Sequence, residues 1–326
     1  MKIENNSKIL VTGGSGFIGT NLMEYLLAQD YEVINIDFTP PKRKDHDDYW
    51  QDCDIREFEK LNAIVADFNP THVIHLAART DLNGQSLEDY NSNTLGVHNL
   101  VKSLNQLTLL KSVVIASSML VCRLGYQYKD MEDYDPPNFY GESKVQTEKI
   151  TRAEAKFKWV LVRPTSIWGP WFGEPYRNFF DIVLAQRFFT SKRFAVKTYG
   201  YVSNAIEQII ALLQDEQAKG GTYYLGDYQP TPITAWAYEI AEMADIKKPI
   251  LFPYFIFKTA ALVGDLLNSI GIPFVMSSFR LKNMTTNNVV HLGDTQAIVG
   301  NNSVSRLKGT RITLDWLIKY KSENRK

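Results

Sequence analysis

The stretch VTGGSGFIGTNL, Val11 to Leu22, places glycines at intervals of three residues, at Gly13, Gly16 and Gly19. A short apolar run, KILVT, precedes the glycines, and a helical pattern follows them. Glycine lets a backbone turn tightly and bring N–H groups against a phosphate, which the positive end of the following helix also attracts. The strand before, the helix after and the glycine spacing together predict a loop that binds the pyrophosphate of a dinucleotide.

An acidic residue ends the second predicted strand, EVINID. Asp37 lies eighteen residues beyond Gly19, where a carboxylate suits the two hydroxyls of an adenosine ribose. Because a carboxylate would repel a 2′-phosphate, Asp37 favours NAD over NADP. Lys42, Arg43 and Lys44 follow closely and are able to accept a 2′-phosphate, so NADP stays open as an alternative.

Strand-like and helix-like segments alternate through the first half of the chain. Apolar strands separated by amphipathic helices predict an α/β fold, a doubly wound parallel sheet that binds ligands at the carboxyl ends of its strands. A helix is predicted from about Tyr140 to Lys156. The predicted strands are Lys8–Thr12, Glu32–Asp37, His72–Ala78, Ser112–Ser118 and Trp159–Pro164.

Beyond Pro164 the alternation weakens, and a smaller C-terminal lobe is predicted. We assign residues 1–170 to a Rossmann domain, with a returning segment near 197–226. Residues 171–196 and 227–326 are assigned to a substrate-binding lobe.

The composition excludes several classes of function. Lysine plus arginine and aspartate plus glutamate both number 36, and no basic run is long enough for a nucleic-acid groove. Cys53 and Cys122 have no metal-binding or disulfide spacing, so we expect no metal and two reduced thiols. The polar start of the chain lacks the apolar segment of a secretory signal, and we expect a cytoplasmic protein.

The most apolar region runs from Pro249 to Met276. Pro253, Lys258 and Asp265 interrupt it, and its uninterrupted stretches are shorter than the roughly 20 apolar residues that a membrane span needs. We therefore expect a buried helix of the second lobe and no stable membrane insertion, with a membrane-surface helix as the alternative.

The segment FYGESK puts Tyr140 and Lys144 four residues apart, on one face of a predicted helix. A tyrosine with a pKa near ~10 stays protonated at neutral pH, and a neighbouring ammonium lowers that pKa. Ser118 ends the preceding predicted strand, where its hydroxyl could hydrogen-bond a substrate oxygen. The spacing alone also fits an ordinary surface helix, but the dinucleotide loop favours a proton-transfer pair.

Several motifs follow one another in a characteristic order. They are TGGSGFIG, DCDIRE, VIHLAA, NTLGVHNLV, IASSMLVC, YGESK, RPTSIWGP and YGYVSNAIEQI. In this order they resemble the extended short-chain dehydrogenase/reductase superfamily, specifically its NAD-dependent sugar epimerase/dehydratase family. Beyond Gly226 the resemblance is only general.

The resemblance implies a role for each matched residue. Ser118, Tyr140 and Lys144 would be catalytic, with Lys144 also bound to the nicotinamide ribose. Asp54 would accept a hydrogen bond from the adenine amino group, and Ile55 would pack on the ring. The implied NAD contacts are Gly13, Gly16, Phe17, Ile18, Gly19, Asp37, Asp54, Ile55, Leu76, Ala77, Ala78, Tyr140, Lys144 and Pro164. The implied substrate contacts are Thr80, Ser118, Met119, Ser166 and Trp168.

The activity that the resemblance implies is epimerisation of a nucleoside-diphosphate sugar, in polysaccharide biosynthesis. Tyr140 would remove a hydroxyl proton as hydride leaves the same carbon, giving a transient keto-sugar that takes the hydride back on its other face. A homodimer through a helix pair that includes the Tyr140 helix is also implied.

Two departures from the family pattern narrow this function. Dehydratases of the family carry an Asp-Glu pair where this chain has Met119 and Leu120, which cannot exchange a proton, so we disfavour dehydration. Ser166 replaces an asparagine that contacts substrate phosphate in sugar-nucleotide enzymes.

Two alternatives stay open. One is an NAD(P)-dependent dehydrogenase or ketoreductase that acts on a sugar nucleotide or on a hydroxysteroid-like alcohol. The other is a non-catalytic dinucleotide sensor, against which the presence of Tyr140 and Lys144 argues.

Overall fold

The computed structural model describes residues 7–29, 31–174 and 176–323. Within them the strands are β1 (Lys8–Thr12), β2 (Glu32–Asp37), β3 (Trp50–Asp52), β4 (His72–His75), β5 (Ser112–Ala116), β6 (Trp159–Pro164), β7 (Ser166–Trp168), β8 (Phe189–Thr190), β9 (Val196–Lys197), β10 (Tyr199–Tyr201), β11 (Thr222–Leu225), β12 (Thr231–Pro232) and β13 (Ile250–Leu251). The helices are α1 (Phe17–Leu27), α2 (Phe58–Phe68), α3 (Leu95–Leu104), α4 (Phe139–Glu154), α5 (Tyr176–Leu184), α6 (Val202–Gln214), α7 (Ile233–Met243), α8 (Tyr254–Ser269), α9 (Ser278–Thr285), α10 (Gly293–Val299) and α11 (Arg306–Glu323).

A seven-stranded sheet has the strand order β11-β6-β5-β4-β1-β2-β3, and each neighbouring pair is parallel. From β1 the chain builds outward through β2 and β3, and then returns to build the other side through β4, β5 and β6. The strand order therefore reverses beside β1, and such a switch point opens a crevice for a ligand at the carboxyl ends of the strands. The predicted doubly wound α/β fold is confirmed.

The central strands are buried along their whole length, as expected for a parallel sheet that is covered on both faces. Two of them are shorter than predicted, because β4 ends at His75 and β5 ends at Ala116. The residues that follow these strands lie at the carboxyl edge of the sheet. The sequence analysis missed β3, a short and largely exposed edge strand whose Trp50 indole donates to the Asp37 carbonyl at 2.7 Å.

The chain divides into two compact units. The first contains the sheet and consists of the chain up to Phe172, Gly200–Asp227 and His291–Val304. The second consists of Gly173–Tyr199, Tyr228–Val290 and the chain from Ser305.

One segment lies in a different unit from the one expected. Residues 291–304, which the sequence analysis assigned to the C-terminal lobe, belong to the first unit, where α10 packs on α6. The Thr295 hydroxyl donates to the Tyr224 carbonyl in β11 at 2.7 Å, which ties α10 to the edge of the sheet.

The second unit is built around aromatic side chains. Trp236 of α7 is buried, with its ring 5.1 Å from Phe179 and 5.5 Å from Phe180 of α5. A smaller apolar cluster holds α8 and α9 together through Phe194, Phe257, Ala261 and Leu281. No helix in the described part of the chain is long and apolar enough to cross a membrane.

Candidate active site

The glycine loop has no room for side chains. Gly13 has a φ of 77°, and a Cβ built on it would lie 2.5 Å from the Ala77 nitrogen. A Cβ on Gly19 would lie 2.1 Å from the Gly13 carbonyl oxygen, so the start of α1 packs directly on the loop. Gly16 is exposed and caps α1, whose first turn contains no acidic residue. The backbone is thus open to an anion at the helix N-terminus, which fits a dinucleotide diphosphate.

Asp37 is held at the end of β2 beside this loop. Its carboxylate accepts hydrogen bonds from the Ser15 nitrogen at 3.1 Å and the Thr39 nitrogen at 2.9 Å. Burial raises the pKa of Asp37, and the two backbone donors act in the opposite direction. The neighbouring Asn35 accepts from the Gly14 nitrogen at 2.8 Å and donates to the Ser15 hydroxyl at 3.1 Å, which braces the loop against β2.

Two of the cations that follow β2 make hydrogen bonds or ion pairs with groups other than Asp37, although the Lys42 charge also interacts with the Asp37 carboxylate. The Arg43 guanidinium pairs with Asp45 at 2.6 Å and with Glu24 at 3.1 Å. The Lys42 ammonium donates to the Trp171 carbonyl at 3.3 Å. These contacts orient both side chains without a phosphate.

The predicted adenine contacts are only partly accessible. Asp54 is half-buried, and its carboxylate pairs with the Arg56 guanidinium at 2.5 Å. Ile55 lies in the core beneath α3, where a Cβ on Gly96 would approach its Cδ1 to 2.6 Å. The Ile55 side chain therefore stabilises the packing of α3, and its contact with an adenine ring stays a prediction.

The other predicted dinucleotide contacts lie around the loop and along the edge of the sheet. The Leu76 nitrogen donates to the Thr12 carbonyl at 2.9 Å, which brings the residues after β4 beside the end of β1. The half-buried members of this group are Phe17, Ile18, Leu76, Ala77, Ala78 and Pro164.

Helix α4 begins next to the segment that follows β5. The Asn138 side chain caps the helix by accepting from the Gly141 nitrogen at 2.8 Å. A Cβ on Gly141 would lie 2.3 Å from the Leu120 carbonyl oxygen, so the first turn of α4 closely approaches this segment. One turn later, the buried Lys144 ammonium donates to the Ala116 carbonyl at 2.9 Å.

Tyr140 and Ser118 flank this close approach. Tyr140 is buried in the first turn of α4, with its ring 6.0 Å from that of Tyr90. The Ser118 hydroxyl accepts from the Leu120 nitrogen at 3.1 Å, a bond that uses an oxygen lone pair and not the hydroxyl hydrogen. The structure therefore brings Ser118, Tyr140 and Lys144 to the same edge of the sheet as the glycine loop.

Lys144 retains its charge in an unfavourable setting. Burial lowers its pKa to about 8, although the carboxylate of Glu148 acts in the opposite direction. At neutral pH the side chain is therefore still mainly an ammonium. A buried cation of this kind stabilises a phenolate in its vicinity.

A buried ionic network supports this arrangement, and the sequence analysis missed it. Glu148 and Arg163 are each 0% exposed, and the Arg163 Nε and Nη2 atoms donate to the carboxylate at 2.8 and 2.9 Å. The Ser117 hydroxyl donates to the same carboxylate at 2.6 Å, and Arg152 and Tyr134 each donate at 3.0 Å. Burial acts to raise the pKa of Glu148, but the contacts with Arg163, Ser117 and Arg152 together outweigh it and lower the pKa.

The sequence does contain a signal for this network. Tyr140, Lys144, Glu148 and Arg152 recur every four residues and therefore share one face of α4. In the structure Tyr140, Lys144 and Glu148 are buried. Charged residues such as Lys144 and Glu148 are rarely buried without a partner.

His75 is a buried histidine at the end of β4. Its Nδ1 lies 2.6 Å from the Thr12 hydroxyl, and its Nε2 has no hydrogen-bond partner among the described residues. Burial, followed by the Lys144 charge, lowers the pKa of His75 to about 3, so the ring is neutral.

The predicted substrate contacts differ in exposure. Thr80 is exposed, whereas Met119 and Ser166 are half-buried. Trp168 is only 1% exposed, and its ring packs 4.9 Å from that of Tyr201. The structure thus places Trp168 in the core of the first unit, and its contact with a substrate stays a prediction.

Relatives of the chain match most of its length. It is 27% identical over 288 residues, 85% of each protein, to an N-acetyl-α-D-glucosaminyl-diphospho-ditrans,octacis-undecaprenol 4-epimerase of Escherichia coli O157:H7. It is 29% identical over 266 residues, 74% of this chain and 71% of the relative, to a 3β-hydroxysteroid dehydrogenase of Mycolicibacterium neoaurum. A UDP-glucose 4-epimerase of Thermotoga maritima, solved with UDP-glucose, has a similar fold, with a TM-score of 0.75 and 19% identity over 96% of this chain and 99% of the other.

The family itself is established by a match that covers most of the first unit. The model of the NAD-dependent epimerase/dehydratase family matches residues 9–226, which include the glycine loop, Asp37, Ser118, Tyr140 and Lys144. This match confirms the predicted family, and with it the NAD dependence and the class of enzyme that define the family. The chain belongs to the NAD-dependent epimerase/dehydratase family.

Proposed function

We propose that the protein is an NAD-dependent epimerase that inverts a carbinol carbon, most simply carbon 4, of a nucleoside-diphosphate sugar. The observation that carries the proposal is the position of Tyr140 and Lys144, which lie against the Ser118 segment at the same sheet edge as the glycine loop.

The relatives support the substrate class. One acts on a sugar that is joined through a diphosphate to a polyprenol, and another was solved with a sugar that is joined through a diphosphate to uridine. Both are 4-epimerases, and their ligands share a sugar diphosphate. In the first unit we assign substrate contacts to Thr80, Met119 and Ser166.

The residues around the loop would hold NAD. The amides from Gly13 to Gly19 would hold its diphosphate, Asp37 its adenosine ribose and Lys144 its nicotinamide ribose. The engagement of Lys42 and Arg43 with other groups favours a ribose that lacks a 2′-phosphate. When bound, the nicotinamide supplies a hydride acceptor that returns the hydride within the same turnover.

Tyr140 would carry the proton. Its phenolate oxygen takes the proton of the sugar hydroxyl as the carbon–hydrogen bond breaks, and returns that proton to the keto oxygen after the sugar has turned. Ser118 donates its hydroxyl hydrogen to the same oxygen, and the Lys144 ammonium stabilises the phenolate.

The residues after Ser118 argue against dehydration. Met119 and Leu120 are half-buried in a 3₁₀ turn, and neither side chain is able to remove or donate a proton. The elimination of water needs both an acid and a base at the carbons that lose it.

The experiment begins with the purified protein and no added cofactor. NAD released by denaturation is measured, and the native protein is then offered a panel of UDP-, GDP- and dTDP-sugars. We expect interconversion of epimers without net formation of NADH. Stoichiometric consumption or formation of NAD(P)H, with no epimer produced, would contradict the proposal.

A dehydrogenase is the second candidate, because one relative is a 3β-hydroxysteroid dehydrogenase. That function uses the same Ser118, Tyr140 and Lys144 but releases the ketone as product. Steady formation of NADH from NAD and a 3β-hydroxysteroid would identify it.

Three further expectations remain proposals. They are a homodimer through the Tyr140 helix, a cytoplasmic location and a place in polysaccharide biosynthesis. Sedimentation equilibrium of the full chain tests the first of them.

A further inference from the structure

Helix α8 of the second unit is apolar on both sides. Phe257, Ala261 and Gly264 are buried and define the face that packs on the unit's small core. At 100° per residue, Phe255, Leu262 and Leu266 project from the opposite face, and they are 67%, 60% and 66% exposed. A surface helix normally carries polar residues there, so the predicted buried helix is corrected to a helix with an exposed apolar face.

Two further exposed apolar residues follow α8 in the chain. Val275, in the segment before α9, and Phe279, in α9, are 77% and 75% exposed. We call the set Phe255, Leu262, Val263, Leu266, Val275 and Phe279 the α8–α9 surface. A helix face that carries several exposed apolar residues marks an interaction site, whereas single exposed ones are common.

The α8–α9 surface rests on specific contacts. A Cβ on Gly264 would overlap the Met276 carbonyl oxygen at 1.7 Å, so the segment before α9 lies directly on α8. The Asp265 carboxylate accepts from the Ser278 nitrogen at 3.0 Å, and the Asn268 side chain accepts from the Phe274 nitrogen at 2.9 Å. The apolar side chains are therefore exposed on a formed helical hairpin.

The charged residues of this region are mainly basic, although the whole chain is neutral. Between residues 249 and 290 they are Lys258, Arg280 and Lys282, against a single acidic residue, Asp265. Asp265 is already bound at the start of α9. An apolar face with a basic border complements an anionic lipid surface, where the apolar side chains enter the acyl boundary and the cations meet the headgroups.

The same features argue against other occupants. A second copy on a two-fold axis would bring like-charged borders together. A membrane span is excluded because α8 has 16 residues, fewer than the roughly 20 that a span needs. We propose that the α8–α9 surface docks the protein on an anionic membrane surface, with α8 lying in the plane of the interface.

Flotation of the full chain with lipid vesicles tests this proposal. We expect at least a roughly tenfold higher partition onto phosphatidylglycerol–phosphatidylcholine vesicles than onto phosphatidylcholine alone, with a decrease at high salt. The double variant Leu262→Ser/Leu266→Ser should lose at least about tenfold of that partition, because two apolar side chains no longer enter the interface.

Matched variants separate docking from general effects. Leu109→Ser/Leu307→Ser removes two leucines of similar exposure outside the surface and should bind vesicles like the native protein. Lys258→Glu/Lys282→Glu leaves the apolar face intact and should lose the preference for anionic vesicles. Circular dichroism checks that each variant is folded.

Two results would overturn the proposal. The first is equal vesicle binding by the native protein and the Leu262→Ser/Leu266→Ser variant. The second is a native dimer that this variant converts to a monomer without any vesicle binding, since the surface would then join two copies. The proposal does not depend on the proposed reaction, because vesicle binding is measured without turnover.

Discussion

For single side chains, burial decides the chemistry that this site offers. The Lys144 ammonium is enclosed and bonded to the Ala116 carbonyl, and its pKa falls to about 8 because water no longer solvates its charge. An exposed lysine in the same position would bind a ribose equally well, but it would stabilise a neighbouring phenolate far less, since water screens its charge.

The buried Lys144 predicts how stability changes with pH. Below about pH 8 the folded and unfolded states both carry the charge, so the full cost of burying it is present. Between that pH and about 10.5 the unfolded state binds more protons, and the free energy of unfolding gains on the order of 3 kcal/mol. Lys144→Met lacks this gain. Urea unfolding should therefore show that the difference in the free energy of unfolding between the native protein and this variant changes with pH.

The control for this measurement is Lys158→Met, which removes an exposed ammonium. Its difference from the native protein should stay constant across the same pH range. A constant difference for Lys144→Met as well would show that Lys144 keeps an ordinary pKa.

Tyr140→Phe should lower kcat by on the order of 10²–10⁴, because the proton then has no carrier. Binding of NAD should stay near the native level, since the substitution removes only the phenol oxygen. Epimer formation and a separate NAD titration measure the two effects. Tyr223→Phe, on the edge strand β11, is the matched control, and full activity of Tyr140→Phe would refute the assigned role.

Asp37→Ala should reduce the preference for NADH over NADPH by roughly 10- to 100-fold. The substitution removes two hydrogen bonds to the ribose and also the repulsion of a 2′-phosphate. Fluorescence titration with the two reduced cofactors measures the ratio. If the native protein already binds both equally, the argument from Asp37 is wrong.

Within the secondary-structure elements, α4 contributes most to the site. Its first turns carry Tyr140 and Lys144, and its next turn inserts Glu148 between Arg163 of β6 and Ser117 after β5. The ion pair therefore fixes the helix to the sheet and to the residue next to Ser118. This geometry explains how a helix end and a strand end keep their relative positions.

Glu148→Gln should lower the free energy of unfolding by about 3–5 kcal/mol, because it leaves the Arg163 charge buried and uncompensated. Urea denaturation measures the loss. The double variant Glu148→Leu/Arg163→Met should recover most of it, since the Arg163 charge is then no longer left buried without a partner.

The control for this pair is Glu216→Gln, which breaks the exposed ion pair with Lys158. Its stability should stay close to that of the native protein, because solvent already screens that pair. A Glu148→Gln variant as stable as this control would show that the buried ion pair contributes little.

Across the whole chain, the first unit combines three separate segments around one sheet. A ligand that binds only this folded assembly must stabilise all of it. NAD at one hundred times its Kd should therefore raise the free energy of unfolding by about 2.7 kcal/mol. Thermal unfolding with NAD and with NADP measures the effect, and a larger shift with NADP would contradict the proposed cofactor preference.

The sequence by itself determined the fold class and predicted the main candidate site residues. The glycine spacing after β1, the acid that ends β2 and the Tyr140–Lys144 interval are local patterns. Such patterns are readable from a single sequence. Strand ends were predicted less well at β4 and β5. Apolar residues continue beyond the end of β4 and two small serines follow β5, so the local pattern does not mark the last residue that pairs with a neighbouring strand.

Only the tertiary structure decided which side chains are buried together. The Glu148–Arg163 pair joins residues fifteen positions apart, and Ile55 and Trp168 lie in the core because α3 and Tyr201 cover them. The apolar sequence of α8 predicts burial, but one apolar face of this helix is exposed in the structure. Burial depends on which distant segments pack against a residue, and the pattern of a single segment does not contain that information.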